Sequence, residues 1–133
     1  MLQTIYAVLH WPLLVAASLA LLAVRPFPSQ LAHYAVRAEA LTLRFLERRA
    51  RFEQSPRTQQ LPPLEELLEI HAAFKALAWP DSVSGYHWAI SEAMRHDIEA
   101  LRIFHHPRAY DALRAEADRQ WLRAEDEAQR LSA

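Results

Sequence analysis

Every position from residue 2 to residue 24 is uncharged, and most are apolar. As a helix those 23 residues would measure about 34 Å, slightly more than a hydrocarbon core of roughly 30 Å, so the run predicts a single transmembrane helix over residues 1–24. His10 and Pro12 stand near its middle, where a polar ring is costly and proline removes a backbone donor. If Trp11 marks the interface instead, the 13 residues from 12 to 24 suit a core or re-entrant helix. A cleaved leader fits less well, because no basic residue precedes the run and it ends in Ala23-Val24-Arg25-Pro26.

Two prolines in residues 25–29 break this helix, and Ser29 is placed to cap the next. Leu31, Tyr34, Ala35, Ala38, Leu41, Phe45 and Phe52 then recur at helical spacing. They predict an amphipathic juxtamembrane helix in residues 25–54, flanked by Arg37, Arg44, Arg48 and Arg51 as candidate lipid-contacting side chains. An ordinary core helix with a solvated basic flank has the same pattern. Residues 55–63 hold three prolines and no periodicity, which reads as a linker.

Beyond it, residues 64–133 read as an acidic helical domain of about three helices. The first runs over residues 64–79, with Leu64, Leu67, Leu68, Phe74 and Ala78 on one face and Glu65, Glu66 and Glu69 near its start; Pro80 ends it. Residues 81–85 form a turn whose serines supply caps. A second helix over residues 86–105 aligns Tyr86, Ile90, Ala93, Met94, Ile98, Leu101 and Phe104. A third opens at Pro107 or Arg108 and carries a narrow seam of Tyr110, Leu113, Ala117, Trp121, Ala124, Ala128 and Leu131, suited to packing within the chain or against a partner.

Composition supports an all-α fold: the chain has one glycine and no cysteine, which removes most β-turn punctuation, disulfides and thiolate sites. Charge is divided along the chain. Residues 25–58 hold seven Arg against three Glu, whereas residues 59–133 hold eight basic against thirteen acidic side chains. That division argues against nucleic acid as a partner, and a basic block beside an apolar run suits an anionic bilayer. The positive-inside rule puts the N-terminus outside and the C-terminal domain in the cytoplasm, with a bacterial inner membrane as the expected location.

Candidate chemistry is sparse. Glu92, His96 and Glu99 share a helix face at i, i+4 and i+7 and form the nearest approach to a metal-ligand set, with His71 on the preceding helix. Histidine in an apolar stripe is more often a hydrogen-bonded core residue. One glycine cannot build a phosphate-cradling loop, and no nucleophile elbow is present. The pattern therefore predicts a non-catalytic, membrane-anchored accessory, scaffold or adaptor subunit without a cofactor. Its partners would be the bilayer and other membrane-complex subunits, or a second copy of itself. One alternative is a helical-bundle enzyme or metal- or cofactor-binding protein using His71, Glu92, His96 and Glu99. Another is a membrane protein of a bacterial virus or mobile element.

Overall fold

The computed structural model describes residues 29–54 and 61–132. These form α1 (Ser29–Gln54), α2 (Leu64–Lys75), a 3-10 turn (Asp81–Val83), α3 (Ser84–Arg102) and α4 (Pro107–Ser132). The described residues contain no strand. None of their helices is long and apolar enough to cross a membrane. The expected span at residues 2–24, with His10, lies outside the described residues, as does most of the linker.

Side-chain pairings set the topology. Tyr34 meets His87, Arg49 meets Asp97 and Phe52 meets Phe104, so α1 and α3 run in the same direction. Phe45 meets Trp121 and Glu53 meets Tyr110, so α4 runs back along α1. α2 opposes both, through Arg48 to Glu66 and His71 to Ser91. The result is an up-down-up-down four-helix bundle.

α1, expected from the sequence to lie beside a membrane, therefore does not stand apart from the later helices. Leu31, Tyr34, Ala35, Ala38, Phe45 and Phe52 are buried in the same core as the three later helices, and Leu41 packs at its edge. Length supplies the reason. α2 has 12 residues, about 18 Å of helix, and cannot cover a hairpin of 19 and 26 residues that is roughly 28 to 39 Å long. α1, with 26 residues, covers it.

Among the described helices, α3 and α4 have the most extensive close backbone packing. Small side chains permit it: Ala117, Ala124 and Ala128 are fully buried on α4, while α3 buries Ala89, Ala93 and Ala100. In the predicted α4 seam, Trp121 joins these alanines inside, and Tyr110, Leu113 and Leu131 are half-buried. α1 stands off from this hairpin and reaches it through large side chains, among them Phe45, Arg49 and Phe52.

Two local expectations change. α2 ends at Lys75 instead of continuing to residue 79, and Trp79 leaves the helix to lie flat against His87. Its buried face is accordingly Leu67, Ile70, His71 and Phe74, with Leu68 and Ala78 exposed. The serines of the 81–85 turn make no side-chain cap; the 3-10 turn joins α3 directly, and Val83 is buried beneath the junction.

Enlarging the α3–α4 seam should force these helices apart. Ala124→Leu is expected to cost about 1–3 kcal/mol in chemical denaturation, whereas Leu at exposed Ala112 should change stability by less than about 0.5 kcal/mol. Equal effects at both positions would show that the seam is not closely packed.

Candidate functional site

Polar chemistry concentrates at two levels of the bundle. The deeper one centres on Asp97, whose side chain is 0% exposed. Arg49 from α1 and Arg114 from α4 both donate to its carboxylate, and Trp121 Nε1 donates to Oδ2 at 2.9 Å. Glu53 extends the network, with Oε1 3.3 Å from Arg114 Nε and accepting from the Tyr110 hydroxyl at 3.4 Å.

Burial alone would raise the pKa of Asp97. The two guanidiniums and the indole N–H outweigh it and hold the carboxyl below its ordinary value, while Arg114 is pushed upward by the same carboxylates despite its own burial. The carboxylate is thus ionised, bonded at both oxygens and closed to solvent. It ties three helices together.

The second level lies at the start of α1, where a cleft of about 250 Å³ is lined by Gln30, His33, Tyr34 and Arg37 from α1 and by residues 77–80 after α2. Its inner wall depends on His87. That ring is sandwiched between Phe74 and Trp79, with centroids 4.6 and 4.3 Å away and interplanar angles of 11° and 12°. His87 Nδ1 and the Tyr34 hydroxyl share a hydrogen bond of 2.9 Å. Burial lowers the His87 pKa and raises that of Tyr34, so both are neutral near pH 7. Trp79, 45% exposed, is thus a fixed aromatic edge at the mouth. Among the described residues the cleft lining contains no carboxylate. A second depression, beside Arg48 and residues 62–66, is lined by Glu65, Glu66 and Glu69.

The residues singled out in the sequence fall elsewhere. Arg95 lies between Glu92 and Glu99, at 2.6 and 2.9 Å, and His96 Nε2 is 3.7 Å from Glu92. A guanidinium therefore occupies the carboxylates that a cation would need, and among the described residues no three His, Cys, Asp or Glu side chains are grouped to hold a metal. His71 is buried on α2 with Nε2 3.1 Å from Ser91 Oγ. Of the basic flank, Arg48 is held by Glu66 at 2.5 Å and Arg51 by Glu47 at 2.5 Å, whereas Arg37 and Arg44 are exposed.

Asp97, Arg49, Arg114 and His87 were missed by pattern reading, although a signal exists. Asp97 completes the spacing 90, 93, 94, 97, 101 on α3, Arg49 completes 38, 42, 45, 49, 52 on α1, and Arg114 lies beside the α4 seam. Charges of opposite sign at interior positions of three helices call for one another. Comparison with known protein families, with curated proteins and with solved structures gives no match.

Removing Asp97 takes the fully buried carboxylate from two guanidiniums and leaves them only the partly exposed Glu53 and, for Arg114, Asp118. Asp97→Ala is therefore expected to cost about 3–5 kcal/mol, against less than about 0.5 kcal/mol for exposed Asp111→Ala; a loss below about 1 kcal/mol in denaturant titration would refute the role of Asp97 in tying the helices together. The pH response should differ in origin. His71 and His87 are both held below the usual 6.5 by burial, Lys75 adding to the effect at His71, so below about pH 6.5 the unfolded chain binds protons that the folded one does not. Stability falls as pH drops through that range, whereas the depressed Asp97 keeps its contribution down to about pH 4. Thermal melts from about pH 7 to 5 should show this decline, and the double variant His71→Gln/His87→Phe should flatten it. An unchanged slope would place the titration on other groups.

Proposed function

We propose that the chain is a membrane-anchored, non-catalytic helical subunit, with residues 2–24 in the bilayer and the bundle on the cytoplasmic side as a docking module. The observation that carries this reading is a juxtaposition. In the sequence four residues separate the uncharged run from Ser29, where α1 begins and where His33, Arg37 and the half-exposed Trp79 surround the cleft. Basic and indole side chains next to an apolar span are the composition of a membrane–water interface.

A docking role is supported by what the interior uses and what it leaves outside. The α4 seam is consumed in packing against its own chain, so a partner would meet the outer face of the α3–α4 hairpin. There Trp88 is 49% and Leu122 42% exposed, and the Arg123 guanidinium lies 5.0 Å from the Trp88 ring centre. The closed Asp97 network and the Arg95-bridged carboxylates favour a binding role over catalysis.

Alkaline carbonate extraction of cells expressing the full chain tests the anchor. The protein should remain in the membrane pellet, and a reporter fused after Ala133 should read as cytoplasmic. Recovery of the chain in the carbonate supernatant would overturn the reading.

A further inference from the structure

We propose that the cleft at the start of α1 binds the phosphate of an anionic phospholipid headgroup, with Arg37 as its principal cationic contact. This rests on the membrane-anchored reading and assigns the bilayer component that the bundle recognises.

Three features converge on phosphate. Gln30, His33 and Arg37 are spaced i, i+3 and i+7 on α1, which puts an amide, an imidazole and a guanidinium along one side of the cleft. Among the described residues the lining has no carboxylate to compete for them. Arg37 is also distinguished from its neighbours on the same helix: Arg48, Arg49 and Arg51 are each paired with a carboxylate, whereas Arg37 is exposed and has no ion-pair partner among the described residues. A planar guanidinium left free in this way suits bidentate contact with phosphate oxygens.

The opposite wall favours a lipid over a small soluble ester. Leu77 and Trp79 present apolar surface, and the Trp79 indole is held rigid by its stack on His87. An amphiphile with a phosphate at one end and a glycerol–acyl junction behind it matches both walls. The second depression, lined by three glutamates, would repel the same ligand. Arg44 supplies an internal comparison. It is likewise exposed on α1 and lies about 10 Å further along the helix, roughly a Debye length away at physiological salt.

The full chain in a nonionic detergent, given equimolar phosphatidylglycerol and phosphatidylcholine, is examined by native mass spectrometry for retained lipid. Phosphatidylglycerol should be retained preferentially. Arg37→Ala should reduce that retention about five- to tenfold without changing the melting temperature, and Arg44→Ala should reduce it less than about twofold. Equal retention of the two lipids by the wild-type chain, or equal losses in the two variants, would overturn the site and leave only diffuse surface charge. In a parallel arm without lipid, glycerol phosphate is titrated by calorimetry. Binding there that is lost in Arg37→Ala and is tighter than that of phosphatidylglycerol would overturn the lipid as the source of the phosphate while retaining the cleft. Selectivity in detergent does not require residues 2–24 to span a bilayer, so this outcome and that of carbonate extraction can fail independently.

Discussion

The arrangement depends on one fully buried carboxylate. Asp97 lies where α1, α3 and α4 meet, and it can be ionised there only because Arg49, Arg114 and the Trp121 indole all donate to it. Each partner comes at the same cost in reverse, since an unpaired guanidinium in this interior would be as unfavourable as an unpaired carboxylate. Apolar stripes allow helices to slide and rotate against one another at modest cost, whereas a buried charge set has one satisfactory register. The network therefore selects which faces of the three helices meet, while the surrounding hydrophobic core supplies most of the driving force.

Packing distances follow from this. Alanines bring α3 and α4 close together, and the gap between that hairpin and α1 is spanned by side chains long enough to cross it: Phe45 against Trp121, Arg49 to Asp97, Phe52 against Phe104. Towards the start of α1 the same gap is filled by Tyr34 and the ring stack of Phe74, His87 and Trp79. Because α2 is short and ends at Lys75, the chain after it is free to turn inward, and Trp79 closes the stack from outside. The cleft is the space left beside that closure.

These interiors also narrow the functional reading. The charged groups that are deeply buried, Asp97 and Arg49, are engaged with each other, whereas the buried hydroxyls of Thr42 and Tyr86 have no hydrogen-bond partner among the described residues, and on α3 Arg95 bridges Glu92 and Glu99. Accessible chemistry remains at the surface: an arginine and a histidine beside an indole at the start of α1, and an exposed indole and leucine on the hairpin. The first lies at the start of α1, which in the sequence follows the uncharged N-terminal run with four residues between them.

Periodicity by itself determined that the described chain is helical, where most helices begin, and which apolar positions of α1, α3 and α4 face inward. A 3.6-residue repeat is a local property, and the strong helix formers with a single glycine leave little competition. It also determined the charge division and the uncharged run of residues 2–24. Only the tertiary structure decided that α1 belongs to the same core as the acidic helices, because a basic amphipathic helix has the same pattern whether its stripe meets lipid or protein. The same holds for Asp97, Arg49 and Arg114, since the burial of a charge is favourable only when partners from distant segments arrive together. His87 is the clearest case. Nothing in its neighbourhood along the chain announces a stack between residues 13 positions before it and 8 before it, and that stack exists because α2 stops early and the bundle brings Tyr34 to the ring nitrogen.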